Sequence, residues 1–172
     1  DNDYLKAGQG NDILIGINAD NFQVQLGEQD TLVGNEGSDL FVLGDKNRVY
    51  YDDRNSQTEG STDYGVIEDF NPNRDKIQLK GNPSRYNLSF YTNARGNNSA
   101  NIFYTAAKGN VPERIGIIEN AASNLTLDNS AFVYVSPEPV EKPKASITEA
   151  TPYSDRIKGS NRDDRIFSLG GD

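Results

Sequence analysis

The chain has 172 residues, with 26 acids against 17 bases for a net charge of -9, and a mean hydropathy of -0.73. It holds no cysteine, histidine or methionine, which excludes disulfides, soft-metal or histidine-held zinc sites and any histidine-assisted nucleophile. So acidic a chain makes no electrostatic partner for nucleic acid, and no apolar run reaches the roughly 18 residues of a membrane span. Without an initiating methionine, the sequence is expected to be a piece of a longer protein, with any targeting signal outside it.

The charge is not spread evenly. Residues 1–42 carry eight acids against a single base, Lys6, which leaves the remaining 130 residues almost balanced. A concentration of this kind points to a local counter-ion rather than to general solubility. In the same segment Asp3, Asp12, Asn21, Asp30 and Asp39 recur every nine residues, and two positions after each stand Leu5, Leu14, Gln23, Leu32 and Phe41. Glycines precede the acids, Gly8 and Gly10 before Asp12, and Gly34 and Gly37 before Asp39. A glycine turn, an aspartate and a short strand with one inward apolar residue make the nonapeptide pattern of calcium-binding parallel β-helices.

Two nonapeptides are expected to close one coil of 18 residues. Asp3, Asn21 and Asp39 would then stack along one edge, and Asp12 and Asp30 along the other. Strands lie about 4.8 Å apart, a spacing at which two carboxylates repel by roughly 1 kcal/mol in water and by more when desolvated. Glycine turns add inward carbonyls, because glycine tolerates positive φ. Carboxylates and carbonyls together form a hard oxygen site that suits calcium, with its 6–8 ligands at about 2.3–2.6 Å, better than magnesium.

The array resembles the repeats-in-toxin (RTX) family, the haemolysin-type calcium-binding β-roll. The resemblance implies a bacterial protein exported by type I secretion, found outside the cell or at its surface, that folds when it meets calcium. The third copy departs from the pattern, with Ile17 and Ala19 at glycine positions, Asn21 for aspartate and Gln23 at the inward position. The fourth has Leu26 and Glu28 at glycine positions. These turns are expected to bind weakly or not at all.

From residue 44 the register of nine ends. Short β-branched and aromatic runs follow at 48–51, 64–67, 76–79, 86–91, 101–104, 114–118 and 131–135, separated by turns such as Asn71-Pro72-Asn73. This spacing predicts a β-sandwich-like cap over 44–136 that plugs the open end of the roll. The stretch from Asp39 through Asp63, Asp69 and Asp75 to Leu79 is similar to the segment that closes the roll in serralysin-type proteins. By that resemblance Asp63 and Asp69 join Asp39 as metal ligands, with Asp75 behind and Asp45, Asp52 and Asp53 weaker candidates. Asp69 and Asp75 are equally readable as caps of the Asn71-Pro72-Asn73 turn.

Pro137, Pro139 and Pro143 mark 137–146 as a stiff linker. Over 147–172, Asp155 and Asp164 are again nine apart, each followed at two residues by an isoleucine. This reads as a truncated second array, expected to bind little calcium unless another array completes its turns. The whole is an all-β chain: a β-roll over 1–43, a β-sandwich-like cap, a linker and the start of a second roll. Its expected role is a calcium-binding structural module of a larger parent protein, without catalysis, since no carboxylate pair suggests an enzyme. The alternatives are a calcium-stabilised module binding a glycan or cell surface, and calcium-dependent self-assembly.

Overall fold

A strand that buries only alternate residues needs a second layer over its apolar side. In the computed structural model that layer is the chain's own next strand. The structure describes residues 2–18, 27–55, 57–60, 62–128, 130–136, 146–149, 156–158 and 163–167. Their strands are β1 (Tyr4–Gln9), β2 (Ile13–Ile15), β3 (Gln29–Glu36), β4 (Leu40–Val42), β5 (Tyr64–Ile67), β6 (Lys76–Lys80), β7 (Tyr86–Thr92), β8 (Asn98–Tyr104), β9 (Glu113–Ile118), β10 (Phe132–Val135), β11 (Ser146–Glu149), β12 (Arg156–Lys158) and β13 (Asp164–Phe167). The fold is all-β. The helical turn Pro83–Arg85 is short, and no described helix is long and apolar enough to cross a membrane.

The chain alternates between two sheets. Strands β1, β3, β5 and β9 lie in the first, and β2, β4, β6 and β10 in the second. Each pairs in parallel with its equivalent one coil away. The registers align two files of inward residues. Leu5, Leu32, Ile67 and Ile118 form one; Leu14, Phe41, Ile77 and Phe132 form the other. All eight are buried, and Phe70 packs edge-on against Phe41 with ring centroids 6.2 Å apart. The inward positions read from the period of nine at Leu5, Leu14, Leu32 and Phe41 are therefore the start of the core.

The expected coil length is corrected. Strand β1 pairs directly with β3, Leu5 opposite Leu32, so equivalent residues are 27 apart rather than 18. No rung between them comes from the third copy. Of that copy, which has Ile17 and Ala19 at glycine positions and Gln23 at the inward one, residues 19–24 lie outside the described residues, and the direct pairing keeps leucine on leucine. Asn21 itself lies outside the described residues.

The middle segment differs from expectation in the same way. Strands β5, β6, β9 and β10 do not form a separate sandwich but continue the two parallel sheets of the roll. They carry the same one-sided burial as the repeat strands, so they stack on the file already exposed. The antiparallel part is the β7–β8 hairpin, which pairs with β9 and extends the first sheet. Residues 48–51 form no strand beyond a bridge between Gly44 and Val49. Their side chains turn inward instead, and Val49, Tyr50 and Tyr51 are buried.

The tail also stacks on the roll. Strand β12 pairs in parallel with β1, and β13 with β2, at the end opposite the hairpin. Apart from Ser146, the linker over 137–146 lies outside the described residues.

Candidate metal centre

The turns that carry the chain from the first sheet to the second hold one file of acids. Asp39 Oδ1 accepts the Asp12 backbone N–H at 3.0 Å, and Asp75 Oδ1 accepts that of Asp39 at 3.2 Å. Each aspartate thus orients its neighbour one coil away. Asn11 repeats the device, its Oδ1 accepting from Ser38 N–H at 2.7 Å, and its own N–H donates to Asp163 of the tail at 2.8 Å. Asp69 accepts from the N–H groups of Gly34 and Asn35 at 3.0 and 2.7 Å. Glycine is required where backbone and acid crowd together. A Cβ on Gly34 would stand 2.2 Å from Asp39 Oδ2, and one on Gly37, at φ 134°, would stand 1.6 Å from the Gly10 carbonyl oxygen. Gly8 lies level with Asn35 across β1 and β3.

The opposite edge holds the second file. Asp30 Oδ1 accepts the Asp3 N–H at 2.9 Å, and Asp30 Oδ2 accepts the Tyr51 hydroxyl at 2.7 Å. Asp63 accepts the backbone N–H groups of Gly27 and Glu28. Asp3, Glu28 and Asp30 are all buried and bring carboxylate oxygens within 4.8 Å of one another.

Burial without a cation is unfavourable for this many carboxylates. Desolvation, with Asp30 beside it, pushes Glu28 up to about 8. Desolvation likewise lifts Asp30 to about 7, against the hydrogen bonds it accepts. Asp39 rises to about 6 through burial, with Asp75 and Asp69 adding repulsion. Burial raises Asp63 and Asp75 as well. Among the described residues, Asp39 Oδ2 and Asp63 Oδ2 are buried and accept no hydrogen bond. Buried, crowded oxygens of this kind fit a hard divalent cation, which supplies the missing positive charge without fixed directionality. The donor set therefore fits calcium.

The structure pairs the predicted ligands differently from the sequence expectation. Asp3 stands with Asp30 rather than with Asp39, and Asp12 with Asp39 rather than with Asp30, as the offset of 27 requires. Asp63 extends the Asp3–Asp30 edge and Asp69 the Asp12–Asp39 edge. Asp75 does both things considered for it, since its Oδ2 also accepts Asn71 N–H at 2.8 Å. At that rung Arg74 supplies a cation of the protein's own, 3.5 Å from Asp75 and bonded to the Asn35 carbonyl at 2.6 Å. Glu28 was missed. It sits where the motif calls for glycine, and the signal was an acid two residues before an acid.

The RTX calcium-binding nonapeptide repeat is matched in four copies, over residues 1–20, 27–47 and 149–172. The first two stretches contain Asp3, Asp12, Glu28, Asp30 and Asp39, and the third contains β12 and β13. No curated protein matches the chain.

Proposed function

We propose that this chain, a carrier of RTX calcium-binding nonapeptide repeats, is a non-catalytic module of a secreted bacterial protein that folds when it meets calcium outside the cell. The observation that supports this most is the pair of acid files, where buried carboxylates stack coil upon coil. Asp12, Asp39 and Asp69 on one edge, and Asp3, Glu28, Asp30 and Asp63 on the other, are the residues that would hold the ions. Calcium supplies there the positive charge that these oxygens otherwise lack.

At low calcium the carboxylates repel one another or take up protons, and the apolar files alone offset little of the chain's conformational entropy. At millimolar calcium, each independent site adds RT ln(1 + [L]/Kd) to stability, about 1.4 kcal/mol at ten times Kd. A few coupled sites then decide between unfolded and folded states. An unfolded chain inside the cell suits passage through a narrow type I exporter.

The test is far-UV circular dichroism during a calcium titration, with magnesium as control and calorimetry alongside. A β signal that rises with calcium at sub-millimolar to millimolar levels, and not with magnesium, supports the reading. A full β signal in chelator with no heat of calcium binding overturns it.

A further inference from the structure

Beyond Asp63, the edge that holds Asp3 and Asp30 reaches a second acidic cluster that no repeat accounts for. Asp52 and Asp53 come from the loop between β4 and β5, and Glu113 opens β9, the next strand of the first sheet after β5. Their carboxylate oxygens lie within 4.8 Å of one another. The Arg114 backbone N–H donates to the Glu59 carbonyl at 2.9 Å, which ties β9 to the same loop.

Glu113 is the decisive residue. It is only 5% exposed, and its Oε1 is buried with no hydrogen-bond partner among the described residues. The Asp53 backbone N–H donates to the carboxylate, while the charged groups acting on it most strongly are the acids Asp53, Asp52 and Asp63. Desolvation first, and then those charges, push it up to about 8. Room has been made for it. Gly60 sits at φ 54°, and a Cβ there would stand 1.5 Å from Glu113 Oε1. Asp52 and Glu113 line a cavity of about 290 Å³, with Asn55, Asn110 and the cationic Arg54 also on its wall. Arg48 and Lys80 line it too, but they donate to the backbone carbonyls of Asn18 and Asn47, each at 2.7 Å.

A buried carboxylate oxygen without a donor, facing two further carboxylates, is an unfavourable arrangement for an empty protein and an ordinary one for a bound cation. We propose that Asp52, Asp53 and Glu113 form a further divalent-cation site, a hard oxygen site of the calcium class, built outside the nonapeptide repeats. None of the three lies in the matched segments. The loop between β4 and β5 and the first residue of β9 would thereby be locked together, which extends metal dependence into the region without repeats.

The experiment is calorimetric titration of the whole chain with calcium chloride near neutral pH. It compares the native sequence, Glu113→Gln, the pair Asp52→Asn with Asp53→Asn, and the repeat pair Asp12→Asn with Asp39→Asn. Glu113→Gln removes a buried charge at nearly constant shape. It should bind one calcium fewer than the native chain, keep the remaining sites, and melt no lower in chelator at acid pH, where a proton stands in for the ion. The Asp52 and Asp53 pair, on half-buried loop residues, should lose the same single equivalent and decides the matter if Glu113→Gln does not fold. The repeat pair should lose a different equivalent and keep this one. Undiminished stoichiometry in the cluster variants overturns the site, whatever the repeats do. Loss of one ion in Glu113→Gln upholds it even if the repeat turns bind nothing.

Discussion

The repeat segment and the middle segment build the same two sheets by different means. In residues 1–43 the turns from β1 to β2 and from β3 to β4 are short and contain glycine, and each rung stands 27 residues from the next. In residues 44–136 the turns are long, and the β7–β8 hairpin is inserted between β6 and β9. Yet Leu32 leads to Ile67 and Phe41 to Ile77 without a break in the files. The difference teaches that stacking needs an inward apolar residue on each strand and a counter-ion at each crowded edge. A fixed period is only the most economical way of supplying both.

If the two regions share one core, breaking either file must unfold both. Phe41→Ala and Ile67→Ala each empty a fully buried position and are expected to cost about 3–5 and 2–5 kcal/mol. Each should lower one common melting transition in calcium. Two separate transitions, of which Ile67→Ala moves only one, would divide the regions again.

Ligand changes separate the edge from the core. Asp12→Asn with Asp39→Asn should remove roughly 1.4 kcal/mol per site of calcium-dependent stability at ten times Kd, leaving the melting point in chelator at acid pH, where protons stand in for the ion, equal or higher. Calorimetry with parallel melts reads both quantities. A melting point that falls equally with and without calcium would mean that the aspartates only brace the turns.

Proton titration gives a graded form of the same comparison. Asp39, Asp30 and Glu28 stand at about 6, 7 and 8 in the folded chain, above ordinary values of 3.8, 3.8 and 4.5. The folded chain therefore holds protons that the unfolded chain has released. Stability in chelator is fully present below about pH 4 and is lost as pH rises through 6 to 8. With calcium in excess the trend reverses, because protons and calcium compete for the same oxygens. Melting curves from pH 4.5 to 8, in chelator and in calcium, should cross.

The smallest expected effects compare two glycines. Gly96, at φ 82° in the β7–β8 turn, has open space around its missing Cβ, so Gly96→Ala should cost about 1–2 kcal/mol of backbone strain alone. Gly37→Ala meets the Gly10 carbonyl as well, and should cost more and weaken calcium binding. Equal losses by thermal melting would show that close approach of the turns is unimportant.

Legibility in the sequence followed the range of the interactions. Leu5, Leu14, Leu32 and Phe41 were readable as inward because a strand's side alternation is local. Asp3, Asp12, Asp30 and Asp39 were readable as acids gathered at the turns because turn glycines and acids are neighbours in the chain. Asp63 and Asp69 came from a resemblance, and both take their places on the acid edges. Glu28 and Glu113 were not picked out, since each joins its cluster across another coil: Asp3 reaches Glu28 from 25 residues away, and Asp52 and Asp53 reach Glu113 from 61 and 60.

What the sequence determined by itself was therefore the chemistry: an all-β chain, an apolar stripe, acids set at glycine turns and calcium as their ion. Only the tertiary structure decided the partners. It joined Asp3 to Asp30 across a skipped copy, ran the middle strands onto the roll, returned β12 and β13 to β1 and β2, and brought Glu113 to the loop of Asp52 and Asp53. The physical reason is that a parallel strand pair carries no local signature. Any strand with one apolar side can cover any other, and the choice falls to whichever register buries all the files at once.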